Sequence, residues 1–476
     1  MQENLPLIGP VIMDGIIFAT CATLLLLKGR LSHSHPATMY LIFHAFVVSF
    51  RSWNILAGQP TLFSDWPNNQ YDGVTIEEII RGIFVFDLAL VLMTLGWFLA
   101  QDHDRLAHAE GAGSATKIYA LWLPHLRNVA IVSILIGIPW LIIFRNVGAD
   151  LSDLQGQPTA SGAWEKSFWL VMPKSWAGLG LLCLIFAYGL RPGLMIPLSI
   201  YLLYMAIQGG SRFRVILPII MLCMIYLDRK HLRWPRMPTI IVLLVFGLAF
   251  FPLKSIGRAI RDGKDIASIL DISRDTFADI QSGKHGDSNM LDTVAATLTL
   301  VDDHNSLFLG KTYLSVITLP IPRLLWPEKP GLADWLHDIS TPSRPIDKCG
   351  MASTVLCESY ANFGYIGILV IPPLLAYGTG RAYFRAYRAP YFSVSRFFYY
   401  VLACNLIQIY RDGLTSIVVF TLFQMTPMMA IVVLHLLFPN YRIIPGSPSR
   451  PQSGENARPP GQRGVLDMSK RDSLVL

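Results

Sequence analysis

Apolar residues fall in blocks about as long as a lipid bilayer is thick, with polar residues gathered in the stretches between them. A hydrocarbon core about 30 Å deep takes about 20 residues of helix. Blocks of roughly that length recur at about 8–27, 37–57, 79–100, 128–145, 167–188, 193–209, 212–228, 238–254, 364–380, 392–410 and 414–438. Only helices and closed barrels satisfy their backbone groups in lipid. The pattern therefore predicts an all-α polytopic membrane protein with about eleven transmembrane helices and one large loop. The short blocks 193–209 and 212–228 meet at Gly209-Gly210-Ser211, which predicts a tight helical hairpin. No internal repeat is visible.

This block order gives four regions: membrane helices over 1–254 (about eight spans), a loop over 255–363, membrane helices over 364–438 (about three spans), and a tail over 439–476. The tail is rich in Pro, Gly, Ser and Arg with little to bury, which predicts disorder. The loop is far longer than a connection needs. Within it, 268–277 and 290–300 look amphipathic, while 313–326 is apolar but interrupted by Pro320 and Pro322. That last piece is a candidate for re-entry at the membrane interface, under a cover of protein.

Charge orients the blocks. Counting spans from an outside N-terminus puts Lys28 and Arg30 inside, then Arg105, Lys117 and Arg127, then Arg191. Arg229, Lys230, Arg233 and Arg236 follow, then Arg381, Arg385, Arg388 and Arg396. The outside stretches 58–78 and 146–165 hold no Lys or Arg. Cytoplasmic loops carry the basic excess, so the N-terminus is expected outside and the C-terminus in the cytoplasm. No cleavable signal is expected, because the first apolar block has its positive flank after it. The composition agrees with a membrane chain: 53% hydrophobic and 15% charged, against about 25% charged in soluble domains. The net charge of +7 is accounted for by the topology-determining loops and implies no nucleic-acid partner. Cys21, Cys183, Cys223 and Cys404 lie in apolar blocks and read as small core residues. Cys349 and Cys357 lie in the polar loop. On a regular helix they would stand about 12 Å apart, beyond disulfide reach; off a helix a disulfide stays open. No Cys/His spacing reads as a metal site, and no cofactor is expected.

Ionisable residues near the outer face are functional candidates by default. Arg51, Arg81 with Asp87, Arg212, Arg214, Arg258, Arg261, Lys264, Arg323 and the pair Arg411-Asp412 all fall there. Each could simply snorkel to the headgroups, but arginine forks also match phosphate oxygens, so an anionic lipid headgroup or a lipid pyrophosphate fits the group. In the loop stand Asp302-Asp303-His304-Asn305, Gly310-Lys311-Thr312-Tyr313, Ile321-Pro322-Arg323, Trp326-Pro327-Glu328-Lys329-Pro330 and a stretch from Glu358 to Gly367. Trp326, Trp335, Tyr313 and Tyr360 offer flat faces for sugar rings, or else anchor at the interface. Glu358 would serve as a general base or pair with an arginine.

Residues 310–330 resemble the G-x-x-Y … P-R-x-x-W-P-x-K-P segment of oligosaccharide repeat-unit polymerases, the O-antigen polymerase (Wzy) family. Glu358 with Asn362-Phe363-Gly364 and Gly367 is similar to the family's E-x-x-x-N-F-G-x-x-G entry to the span after its large loop. The Gly209-Gly210-Ser211-Arg212 turn and Arg411-Asp412 fall where such polymerases carry arginines. The resemblance implies a GT-C-like glycosyltransferase of the bacterial inner membrane with its large loop in the periplasm. Its donor would be a growing glycan on undecaprenyl pyrophosphate, and its acceptor a single repeat unit on the same lipid. Transfer would invert the anomeric carbon and need neither metal nor nucleotide sugar. Arg212, Arg214, Arg323 and Arg411 would hold the pyrophosphate; Lys311, Lys329, Arg81, Tyr313 and Trp326 would line the substrate. Glu358, or else His304, would be the base. Membrane lipid is an implied partner, and a chain-length regulator and a flippase are companions the resemblance raises. Two rivals remain: a ligase-type glycan transferase, which shares the architecture, and a lipid-linked sugar transporter. Against a transporter stand the missing repeat and the few charges inside spans (Asp14, Asp87 and Lys174).

Overall fold

The computed structural model describes residues 2–28, 31–64, 71–111, 123–143, 173–207, 213–237, 240–241, 289–318, 321, 326, 334–346, 353–389, 391, 393–414 and 417–437, with scattered positions between 256 and 275. Among them the regular structure is helical, with one isolated bridge from Thr341 to Arg344 and no strand. Most of 238–254, the tail 439–476, Arg212, Arg323, Lys329 and Cys349 lie outside the described residues.

Helices α1 (Ile8–Leu27), α2 (Pro36–Leu56), α3 (Ile76–Gly111), α4 (Leu123–Ile143), α5 (Pro173–Tyr188), α6 (Pro192–Ile207) and α7 (Phe213–Arg229) make the first half. The second half holds α8 (Met290–His304), α9 (Lys311–Thr318), α10 (Asp334–Ile339), α11 (Val355–Arg388), α12 (Val394–Asp412) and α13 (Thr426–Leu437). Among the described residues, α1, α2, α3, α4 and α11 are long and apolar enough to cross a membrane, and α5 and α6 are shorter apolar helices. The architecture is that of a multi-pass membrane protein. Helix α1 shows the inversion this demands: it exposes Ile12 (59%) and Leu27 (78%) while burying Asp14 completely.

Local signals explain where the rods begin. Thr75 and Glu78 form a reciprocal capping box at the start of α3, Thr75 N donating to Glu78 Oε2 at 2.8 Å and Glu78 N to Thr75 Oγ1 at 3.2 Å. Ser393 caps α12 and Thr354 caps α11 through their side chains. Helix α2 opens with Pro36, which suits a first turn, and carries a π-helical stretch at Ala45–Phe50. Helix α3 packs along α11, and α4 along α5. The first seam is tight: a Cβ at Gly96 would lie 2.4 Å from the Pro373 carbonyl oxygen, the small-residue contact typical of membrane helices.

Polar residues collect at two opposite ends of these rods. At one end Asp228 of α7 pairs with His33 (3.5 Å) and Arg396 (3.3 Å) and accepts the Tyr400 hydroxyl. Arg396 also lies over the Tyr387 ring, 4.1 Å from its centroid. The start of α2, the end of α7, the end of α11 and the start of α12 therefore meet. At the other end the close of α2, the start of α3, helices α8 to α10, the start of α11 and the close of α12 come together.

Helix α8 lies in the region read as a loop, and the stretch expected to be amphipathic is instead buried nearly all round: eleven residues from Met290 to Val301 are buried, packed against α3 and α11. It is pinned by Asp292, which takes Arg51 Nε at 2.8 Å, Arg51 Nη2 at 2.9 Å and Leu62 N at 2.9 Å. The Arg51 fork also reaches the Pro60 carbonyl at 2.8 Å. Arg51, one of the candidate anion binders, is thus committed to a buried ion pair. Cys357 is a buried free thiol within α11.

Candidate active site

Two sequence-distant stretches, Gly310 to Tyr313 and Glu358 to Gly367, are hydrogen-bonded into one unit. Leu309 and Gly310 both take positive φ (49° and 89°), making a turn laid against the first turns of α11. Phe308 N donates to the Ala361 carbonyl at 3.0 Å and Leu309 N to the Asn362 carbonyl at 3.1 Å. Gly310 N donates to Asn362 Oδ1 at 2.9 Å, and Asn362 Nδ2 donates to Thr312 Oγ1 at 2.6 Å and to the Glu358 carbonyl at 2.7 Å. The carbonyls of 361 and 362 are free to accept because α11 breaks at Gly364 (φ 59°, ψ −143°). The helix therefore starts at Val355 inside the region read as loop, and the break marks the predicted entry to the span.

Glu358 joins this unit to a third segment. Its Oε1 accepts the Thr312 hydroxyl at 3.3 Å and its Oε2 accepts Leu414 N at 2.7 Å. The Leu414 amide is presented by the close of α12, where Gly413 has φ 83° and a Cβ would come 2.5 Å from Glu358 Oε2. Only glycine fits there. The same turn carries Arg411, whose Nη1 is 2.7 Å from Asp412 Oδ1, while Asp412 also accepts Gln408. Glu358 is 3% exposed, and its partners include the Thr312 hydroxyl and the Leu414 amide. Tyr313 stacks on Phe363, centroids 6.2 Å apart. Burial first, and the Glu358 carboxylate second, push its hydroxyl above the ordinary tyrosine range.

A second cluster opens beside the first. Arg81 of α3 donates to Asp302 Oδ2 (2.7 Å), Tyr365 (3.0 Å) and Tyr360 (2.6 Å), and the Tyr360 hydroxyl donates to Asp302 Oδ1 at 2.7 Å. The Arg81 and Asp302 side chains remain 28% and 48% exposed. His304, the last residue of α8, is exposed and lies parallel to Phe308, centroids 6.1 Å apart. Trp335 stands edge-on to that Phe308 ring and is buried. Lys311, also exposed, opens α9.

Of the candidates from sequence, the structure brings together Glu358, Tyr313, Lys311 and Arg411, with Arg81 and His304 on the adjoining surface. Arg214 belongs to another helix group, at the start of α7 beside Tyr201 and Lys174. Trp326 is 39% exposed; Arg212, Arg323 and Lys329 lie outside the described residues. The roles of Thr312 and Asn362 as brackets escaped sequence reasoning. The signal available was the four-residue spacing of Glu358 and Asn362, which sets them on one helix face.

With this geometry in hand, comparison with known proteins adds a family. The model of the family described as O-antigen polysaccharide polymerase Wzy matches residues 179–441. That stretch takes in α8 to α13 and every member of the two clusters except Arg81. No curated protein and no solved structure matches the chain.

Proposed function

Since the chain belongs to the O-antigen polysaccharide polymerase Wzy family, we propose that it joins undecaprenyl-pyrophosphate-linked oligosaccharide repeat units into a surface polysaccharide. The reaction takes place at the periplasmic face of the inner membrane. The chain crosses about eleven times with its N-terminus periplasmic and its C-terminus cytoplasmic, so the 255–363 region and the α12–α13 turn share that face. The observation that carries this reading is the joint held by Glu358: one carboxylate ties the 310–313 turn, the head of α11 and the Arg411 turn into a single surface.

A hydroxyl of the acceptor unit attacks the anomeric carbon of the donor, the C–O bond to undecaprenyl pyrophosphate breaks with inversion, and the hydroxyl proton passes to a base. Glu358 has both oxygens engaged inside the protein, so its part is positioning. His304 is exposed, two residues on from Asp302 at the close of α8, and is the side chain suited to take the proton. The leaving pyrophosphate carries the growing negative charge. Arg411 and Lys311, with Arg212, Arg214, Arg323 and Lys329 as further candidates, supply fixed positive charge in the role a cation would otherwise fill. Arg81 and the Tyr360 and Tyr365 rings, with Tyr313 and Trp326, hold the sugars.

Purified protein given authentic undecaprenyl-pyrophosphate-linked units should build a ladder on a gel without nucleotide sugar. His304→Ala should slow ladder growth by about 100-fold or more, and Glu358→Gln should cut it with little change in pH dependence. A ladder that survives His304→Ala but not Glu358→Gln moves the base to Glu358. No ladder at all removes the polymerase reading and favours a ligase or a transporter.

A further inference from the structure

Midway along three N-terminal helices lies a cluster of ionisable side chains that the proposed reaction does not use. Asp14 of α1, His44 of α2 and Asp87 of α3 are all buried and bring one ligand atom each within 4.8 Å of one another. His44 Nε2 lies 2.8 Å from Asp14 Oδ1 and 3.7 Å from Asp87 Oδ1. Asp14 Oδ2 accepts the Ser49 hydroxyl at 2.8 Å. Phe18 stacks on the imidazole at 5.9 Å, and Phe86 meets it edge-on at 6.1 Å. Asp87 Oδ1 is buried, faces His44 and has no hydrogen-bond partner. Among the described residues no lysine or arginine pairs with either carboxylate. Two carboxylates in a low-dielectric interior, with an imidazole as the one basic group paired with them among the described residues, call for added positive charge.

We propose that Asp14, His44 and Asp87 form a binding site for a divalent transition-metal cation of the zinc or manganese class, clipping α1, α2 and α3 together inside the membrane. Two aspartates cancel the charge of such an ion, and an imidazole with carboxylates is a donor set it accepts. Ligands bound at about 2.0–2.1 Å in a tetrahedron stand about 3.3 Å from one another, between the two separations His44 makes here. The partnerless Asp87 oxygen gains a bond, and Ser49 orients Asp14 from outside the site as supporting residues commonly do. The π-helical stretch is what brings Ser49 round. On an α-helix, residues five apart lie about 140° apart about the axis, whereas the wider turn at Ala45–Phe50 sets Ser49 on the side of His44. The cluster is outside the matched 179–441 stretch, so it belongs to the N-terminal region in its own right.

The test is metal content, measured by inductively coupled plasma mass spectrometry on the full-length protein. Cells are grown with zinc and manganese, and the purified protein is passed over a chelating resin. Wild type should keep near-stoichiometric metal, Asp87→Asn and His44→Gln should lose at least about tenfold, and Ser49→Ala should fall between them. Because a ligand variant can fail to fold, wild type is also stripped with a strong chelator and titrated with zinc or manganese. A saturable rise in Tm supports the site. Metal-free wild type that neither ion stabilises, or equal metal in wild type and both ligand variants, overturns it and leaves a proton shared by the carboxylates as the neutralising charge.

Discussion

Two aspartates of helix α8, Asp292 near its start and Asp302 near its end, each take an arginine from a different helix. The pairs are chemically alike and physically opposite. Arg51 and Asp292 are sealed, with side chains 2% and 0% exposed, and their further partners are the Pro60 carbonyl, the Gln59 side-chain oxygen and the Leu62 amide. Arg81 and Asp302 stand half open, and the other partners named for Arg81 are two tyrosine hydroxyls. A sealed pair can only hold parts together. An open one can exchange its partner for a ligand, because water already competes for it and its own pairing is worth little.

The largest effect should come from breaking the sealed pair. Asp292→Ala leaves a guanidinium buried without its carboxylate, a loss of about 3–5 kcal/mol. Thermal unfolding in detergent should show a much lower Tm, and an unchanged Tm would remove the structural role assigned to the pair. Next, Arg81→Ala should cost at most about 1 kcal/mol of stability yet sharply reduce ladder growth. Equal losses of stability and activity would erase the contrast between the pairs. Arg81→Lys sharpens it further: charge is kept and the planar fork lost, so activity should fall part of the way. The smallest change is Tyr365→Phe, which removes one half-exposed hydrogen bond worth about 0.5 kcal/mol and should mainly raise the apparent KM.

The apolar rods were legible because bilayer thickness sets a length that composition must obey. Helices α1, α2, α3 and α11 lie where blocks of that length lie, and the stretch singled out at 290–300 lies in α8. What escaped was everything set by exposure or by distant partners. Arg51 reads like Arg81 in sequence, since both are arginines near an outer helix end; only the fold shows that one faces Asp292, 241 residues away. The start of α11 was hidden because Gly364 looks like the beginning of a span, while the true cap, Thr354, lies ten residues earlier in a polar stretch. The motif residues themselves were visible, but not that Asn362 binds the 310–312 turn. Asp14 and Asp87 stood out as charges in apolar blocks. Their meeting with His44 had no spacing signature, because the three come from separate helices.

The break at Gly364 has a bearing on how this protein can change over time. In an unbroken helix each residue adds about 100° of rotation, so an insertion anywhere in the membrane segment would swing Glu358 away from Thr312 and Leu414. Here the phase is reset at Gly364, and the nine residues from Val355 to Phe363 take their bearing from Asn362 and the turn it grips. The lipid-facing length of α11 is thereby free to drift, lengthen or be exchanged for another span without re-aiming the carboxylate. A chimera joined at Gly364 keeps the orientation of the head of the helix, whereas one joined at Val370 inherits the rotation of both parents.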